Sequence, residues 1–378
     1  MTRKTAGKRN DGSPSPRRIS GAASASGTRR FADRFASAFA PDFYRVTSAG
    51  LSLSSIGMGT YLGECDDEED QRYVDVLTAG VSSGLNVLDT AINYRCQRSE
   101  RAVGRALRRI LDGGTTQRDE IVVCTKGGYV PLEESPPESR SDYDAYLDRE
   151  YFSSSVMSKD DIVAGGHCIT PRFLADQIER SRNNLGVECI DVFYLHNPEQ
   201  QLDSLDRDRF TRSIADAFAQ LESQVEAGHI GAYGCATWSG FRAAPAARNY
   251  LSLSKLLQVA YEVAGKSHHF RFVQLPVNLA MTEAVRSTTQ DSHGSPMSLM
   301  DLAAQLGISV IASATLMQAQ LAKNLPGAVH ALFPDLETDA QRAIAFVRSL
   351  PVTTALVGMR SHAHLEENIS AGSAVIRT

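Results

Sequence analysis

Asp89, Tyr94, Lys126 and His196 are the residues whose types and order could together do one piece of chemistry. Asp89 ends the apolar run in NVLDTAINY, and Tyr94 follows five residues later. Lys126 ends IVVCTK, and His196 ends IDVFYLH. A free tyrosine titrates near pH ~10, so it is a poor acid at neutrality. A nearby ammonium favours the phenolate and lowers that pKa. Lys126 can supply the ammonium, and Asp89 can hold it in place and charged. His196 can bond a substrate oxygen or share its proton. The group is thereby suited to delivering a proton to a carbonyl oxygen while hydride arrives at carbon. Each residue alone has an ordinary explanation: a turn cap, a packed aromatic, a lysine reaching solvent, a histidine before Asn197-Pro198. Their shared position at or just past strand ends is what argues for one site.

Such convergence needs a fold that gathers strand ends. After Tyr44, β-like runs alternate with amphipathic helical stretches. The strands are expected at 54–59, 86–89, 121–125, 190–195, 231–235, 272–275, 309–313 and 354–357. Helices are expected near 70–84, 98–111, 171–185, 208–227, 239–250, 295–306, 337–349 and 361–370. Most of the runs are apolar throughout, which implies strands buried on both faces of a parallel sheet. Eight strand–helix units in about 330 residues favour an α/β fold of the (β/α)8 TIM-barrel type over an open sheet. No G-x-G-x-x-G turn follows the first strand, as a doubly wound dinucleotide fold would require. Residues 130–168 separate the third strand from its helix and exceed an ordinary β/α loop. With Tyr143, Tyr146, Tyr151 and Phe152 among many acids, they read as a substrate lid or as a surface elaboration or oligomer contact.

The chain has 378 residues, 42% of them hydrophobic, and a net charge of -5, which argues against nucleic-acid binding as its main role. No apolar stretch approaches the roughly 20 residues that span a bilayer. Residues 1–40 carry nine Arg/Lys against Asp11 and Asp33, a net +7. Poor in large apolar groups, residues 1–42 are expected to be a disordered basic tail, with an organelle transit peptide as the alternative. The barrel is expected to occupy 43–378. Cys65, Cys96, Cys124, Cys168, Cys189 and Cys235 form no C-x-x-C pair and no metal-ligand spacing. They read as reduced thiols of a cytoplasmic protein with no bound metal.

The chain resembles the aldo-keto reductase family from about Leu51 to Asn368. GLNVLDTAINYRCQRSERAVGRAL is similar to the segment around that family's catalytic Asp and Tyr, IVVCTKGG to its lysine strand, and NNLGVECIDVFYLHNPE to the segment leading to its His. GMGTYLG and LVGMRSHAHLEENI resemble the opening strand and the last cofactor-binding loop and helix. The resemblance implies a catalytic tetrad of Asp89, Tyr94, Lys126 and His196. It implies NADPH, with NADH less favoured, as cofactor. Gly59, Thr60, Tyr61, Asp89, Thr237 and Gln274 would lie toward the nicotinamide, with Asn278 on the same strand segment as Gln274. Leu316 would cover the pyrophosphate, and Gly358, Arg360, Glu367 and Asn368 would hold the adenosine half. Arg360 suits a 2′-phosphate, because a guanidinium matches phosphate geometry. The helix beginning near 361 adds a favourable dipole.

The chain also departs from the family pattern. Ala236-Thr237 stands where Ser-Asn usually binds the carboxamide, Ala314-Thr315-Leu316 where Ser-Pro-Leu is common, and His364 where Gln is frequent. The chain ends about ten residues after Asn368, without the long loop that shapes steroid pockets in some relatives. A small aldehyde or ketone is therefore the expected substrate, with no nucleic acid and no membrane as partner. Two alternatives share the fold class: a cofactor-binding regulatory or scaffold protein, and a phosphate-binding barrel of other chemistry such as an isomerase.

Overall fold

The computed structural model describes residues 17–374. Eight parallel strands close into a barrel. They are β1 (Ile56–Gly59), β2 (Val87–Asp89), β3 (Val122–Gly127), β4 (Ile190–His196), β5 (Ile230–Ala236), β6 (Phe270–Pro276), β7 (Ser309–Ser313) and β8 (Thr354–Gly358). All eight expected strands are present, with ends shifted by one or two residues.

The barrel has two apolar layers, separated by strand parity. Val87, Val122, Cys124, Val192, Tyr194, Ala232, Phe272, Ile311 and Leu356 form the interior. Their neighbours Leu88, Val123, Phe193, Leu195 and Val273 pack outward, in a larger cluster with the helices. Parity then decides where the polar residues go. Asp89 is two residues after Val87, Lys126 two after Cys124, His196 two after Tyr194. All three belong to the inward-facing set, one layer above the last apolar one. Below, an antiparallel pair of short strands, Tyr44–Val46 and Ser52–Ser54, brings Leu53 into the same inner cluster.

The surrounding helices include α1 (Ala25–Phe35), α2 (Asp67–Ser82), α3 (Arg98–Asp112), α4 (Pro171–Leu185), α5 (Arg207–Glu226), α6 (Leu253–Ala264), α7 (Leu299–Gln305), α8 (Asp339–Arg348) and α9 (His362–Ser370). The end of α4 shows how locally these are set. Gly186 adopts φ 66°, and it and Val187 donate to the last helix carbonyls, an ending that favours glycine.

Three expectations differ from the structure. The helix expected at 239–250 is a run of turns interrupted by Pro245, and α6 begins only at Leu253 behind its Ser252 cap. The helix expected from 295 begins at Leu299, because 295–297 pairs with 290–292 as a hairpin. The tail expected to be disordered to residue 42 is folded within 17–42. There α1 buries Phe31, and Arg30 and Arg34 bond the buried Glu120 at 2.8 and 3.0 Å. Averaging composition over the tail concealed this helix, whose Phe31 and Phe35 share one face. Residues 1–16 of that expectation lie outside the described residues.

The 130–168 segment carries its own helix, Arg140–Leu147, and a small core of Val130, Tyr146, Leu147, Tyr151 and Met157 against Phe173 of α4. Its two ends meet where Tyr129 bridges His167.

Candidate active site

Strand register sets the frame. Asp89 lies beside Cys124, Lys126 beside Tyr194, and His196 beside Ala236, which in turn lies beside Gln274. Lys126 Nζ donates to Asp89 Oδ1 at 2.5 Å and to the Thr90 carbonyl at 2.8 Å. Gln274 Nε2 donates to the other Asp89 oxygen at 2.8 Å. The buried carboxylate is thus engaged through both oxygens. An unpaired charge at this depth would be costly.

Tyr94 leaves β2 through the loop and returns over Lys126, whose Nζ lies 5.1 Å from the ring centroid. The Tyr94 and His196 rings meet edge to face at 5.8 Å, and Tyr61 approaches Tyr94 at 5.0 Å from the solvent side. The four predicted catalytic residues therefore share one site. Burial works to lower the Lys126 pKa, but Asp89 and Tyr94 outweigh it and raise it, so the ammonium is kept. His196 is held well below its ordinary range by burial, then by Lys126 and His167, so its imidazole is neutral. For Tyr94 the outcome differs from the expected lowering. Burial raises its pKa more than Lys126 lowers it, and the phenol stays protonated.

A second group of side chains surrounds these four. His167, at the far end of the long segment, is fully buried. Its Nε2 lies 2.7 Å from the His196 carbonyl oxygen, and Gln201 Nε2 lies 2.7 Å from its Nδ1. A carbonyl only accepts, so Nε2 carries the proton and Nδ1 accepts from Gln201. Burial lowers its pKa to about 4, which keeps this neutral form. Tyr129 packs edge-on to both His167 and His196, and its hydroxyl accepts from Asn197 Nδ2 at 2.8 Å. Asn197 has φ 48°, a left-handed conformation that needs such support. Buried Glu199 accepts the backbone N–H groups of Trp238, Ser239 and Gly240 at 3.0, 3.0 and 3.1 Å, fixing the turn beyond β5. Of these, the sequence marks only Tyr129, as a residue facing the substrate or packing the barrel rim; Glu199, three residues after the strand-end His196, goes unmarked, as do His167 and Gln201.

Three of the expected cofactor residues adjoin along the barrel rim. Gly358 lies beside Gly59, and Gly59 beside Asp89. Neither glycine is crowded, as a Cβ at Gly59 would approach nothing nearer than 3.9 Å. The rim here is thus open to a ligand approaching the backbone. Thr60 is buried, and both its N–H and its hydroxyl lie 3.2 Å from the Asp89 carbonyl, while Tyr61 is 57% exposed at the mouth. Thr237 stands at the β5 end with its N–H on the Gln274 carbonyl at 2.8 Å and its buried hydroxyl unpartnered. That orphaned hydroxyl fits the amide of a nicotinamide. Gln274, expected beneath the ring, is tied to Asp89. Asn278 is committed to its own turn, bonding the N–H groups of Ala280 and Met281 at 2.9 Å. Leu316 is half-buried in the loop past β7. Glu367 is half-buried and Asn368 buried, both on α9. Arg360 forks onto buried Glu69 at 2.5 and 2.6 Å, so two of its nitrogens are committed to protein. Among the described residues, no group of three or more His, Cys, Asp or Glu could hold a metal.

The chain is 28% identical over 194 residues to a D-threo-aldose 1-dehydrogenase from a Pseudomonas species, a match covering 50% of this chain and 51% of the relative. It is 25% identical over 224 residues to an NADH-specific methylglyoxal reductase from Escherichia coli K12, covering 57% and 58%. It thus spans little more than half the length of these curated relatives. Among solved structures, an aldo/keto reductase from Klebsiella pneumoniae in complex with NADP and acetate shares the fold, with TM-score 0.59, 18% identity and 89% and 91% of the two chains covered. A holo aldo-keto reductase from Bacillus halodurans does likewise, with TM-score 0.58, 18% identity and 89% and 92% coverage. A profile of the aldo/keto reductase family matches residues 55–328, and the chain belongs to that family.

Proposed function

We propose that this protein is a nicotinamide-dependent oxidoreductase that reduces a small aldehyde or ketone to an alcohol, with Tyr94 as the general acid. The observation that carries this is buried Lys126 held between Asp89 and the Tyr94 ring, with the neutral His196 ring edge to face with Tyr94. Relatives named as an aldose dehydrogenase and a methylglyoxal reductase support a carbonyl–alcohol interconversion.

The residues divide the work as follows. Gly59, Gly358 and Thr237 would hold the cofactor along the rim, with Thr60 and Tyr61 at its nicotinamide end. Leu316 would lie over the pyrophosphate. Arg360, Glu367 and Asn368 would take the adenosine half. When bound, the nicotinamide supplies the hydride. His196, neutral, is able to donate a hydrogen bond to the substrate oxygen. As that oxygen gains alkoxide character it becomes a stronger base than a phenolate, and Tyr94 gives up its proton. The resulting phenolate lies beside the Lys126 ammonium, which stabilises it in a site largely closed to water. Asp89 and Gln274 keep the ammonium where that charge appears.

NADPH is the proposed cofactor, with Arg360 facing the 2′-phosphate. Its Glu69 pairing leaves Nη1 for that contact, and a neighbour of the same fold was solved with NADP. A reducing compartment such as the cytoplasm suits six free cysteines. No described helix is long and apolar enough to cross a membrane.

The test is oxidation of NADPH and of NADH against a panel of small aldehydes and ketones, with Tyr94→Phe as the control. Wild-type turnover should fall by about three orders of magnitude or more in the variant while cofactor affinity is kept. Equal rates in both proteins would remove Tyr94 from its role. Tight cofactor binding with no turnover by either would favour the regulatory reading.

A further inference from the structure

Two of the six cysteines face each other beside the site. Cys65 Sγ and Cys96 Sγ are 3.8 Å apart, the one sulfur–sulfur contact among the described residues. Cys65 lies in the loop after β1, four residues past Tyr61. Cys96 lies two residues past Tyr94. Cys65 is half-buried and Cys96 is 6% exposed.

The backbone around Cys96 is unusual. Arg95, Cys96 and Gln97 have φ of 49°, 53° and 70°, three successive side-chain-bearing residues in the left-handed region. Each such conformation costs free energy and persists only where surroundings enforce it. Here Arg95 enforces it. Its guanidinium donates to the Glu64 carbonyl at 2.8 Å and the Asp66 carbonyl at 3.3 Å, and pairs with Asp70 at 2.7 Å. The loop holding Cys65 is therefore clamped, from both sides of Cys65, to the residue before Cys96. The two thiols are brought together by contacts other than their own.

We propose that Cys65 and Cys96 form a site of reversible disulfide formation. The oxidant is a hydroperoxide. The more accessible Cys65, as thiolate, attacks the peroxide oxygen. The O–O bond breaks, and Cys65 becomes a sulfenic acid as water or an alcohol leaves. Cys96 then loses its proton and attacks the Cys65 sulfur, the S–S bond forms and the sulfenic oxygen departs as water. Two thiols lose two electrons in all, and one hydroperoxide gains them. A dithiol reductant reverses the step by exchange. Burial and then the neighbouring Cys65 raise the Cys96 pKa to about 12, so Cys96 is the poorer first nucleophile and the accessible Cys65 meets the peroxide. Closing the pair from 3.8 Å to the ~2.05 Å of a disulfide needs about 1.8 Å of sulfur movement.

The site touches the proposed reaction at both ends of one loop, and this part rests on the reading given above. Residues 60–69 run from Thr60 and Tyr61 to Glu69, which holds Arg360. A bond from Cys65 to Cys96 would fix that loop to the segment carrying Tyr94. Cofactor entry across the rim should then slow in the oxidised form.

The experiment treats full-length reduced protein with hydrogen peroxide, then measures intact mass and peptides. The expected result is a loss of about 2 Da and a tryptic cross-link between segment 46–72 and tripeptide 96–98. Dithiothreitol should reverse it, and Cys65→Ser should abolish it. Cys65 sits on a loop and its replacement leaves the core intact, so this variant keeps the test valid if Cys96→Ser fails to fold. Oxygen adducts on Cys65 without a cross-link, or a cross-link between other cysteines, would overturn the proposal. The mass readout needs no turnover, so it stands apart from the fate of the functional reading. Stopped-flow NADPH binding to the oxidised protein should show association slowed several-fold. An unchanged rate would refute the coupling to the cofactor loop.

Discussion

The four residues proposed to react were readable because each belongs to a short run whose polar end breaks an apolar pattern. The residues that hold them were not, because their partners are remote in sequence. His167 reaches the His196 carbonyl across 29 residues, and Gln201 reaches His167 across 34. No periodicity or spacing links such positions. The arrangement has a consequence for rate. Fixing the His196 carbonyl fixes the peptide before strained Asn197, and so the imidazole that meets Tyr94 and substrate. His167→Ala should reduce kcat by up to about 100-fold, the cost of a displacement near 1 Å, while cofactor affinity is unchanged. His167→Gln keeps an N–H donor and should recover much of the loss. A fall in cofactor affinity equal to the fall in kcat would mean that His167 supports the fold at large rather than His196.

At the scale of elements, the barrel strands were legible because parallel strands buried on both faces read as continuous apolar runs, and most of the runs from 54–59 to 354–357 do. The helices next to the site were less so. The 239–250 stretch has enough alanine to resemble a helix, but Pro245 and the grip of Glu199 on 238–240 make it turns. In α1 the error ran the other way. Its helix is short, and its anchoring depends on Glu120, a buried acid that Arg30 and Arg34 neutralise from outside the barrel. A Cβ at Gly27 would come within 2.2 Å of the Asp119 carbonyl oxygen, so this helix lies flush against the 118–120 turn. Phe31, fully buried, should then act as a core residue. Phe31→Ala is expected to destabilise the fold by about 3–5 kcal/mol. Urea unfolding would check it, and a change below ~1 kcal/mol would show that α1 is dispensable to the barrel.

For the whole molecule, the same buried histidine ties the proposed site to acid stability. His167 has the Tyr129 ring edge-on to it, the His196 carbonyl at its Nε2 and Asp203 as its acidic influence, and no carboxylate bonds its ring. Its pKa falls from 6.5 in the open chain to about 4 in the fold, so the unfolded state binds the proton first. Above about pH 6.5 both states are neutral and its contribution is complete. As pH falls toward 4, the unfolded chain gains a proton that the folded protein refuses, and stability is lost. Below about 4 both states are protonated and the loss stops growing. The full change is about 3 kcal/mol. Other buried groups superimpose their own slopes, and some oppose this one. Glu199, for example, is raised by burial, so it favours the fold at low pH and loses that contribution as pH rises through its folded value. Comparison with His167→Gln removes these shared terms. The difference in unfolding free energy between wild type and variant should shift against the wild type by about 3 kcal/mol between pH 7 and 4. Parallel curves for the two proteins would show that His167 takes up its proton in the folded state, and that the hydrogen bond to His196 does not depend on the neutral ring.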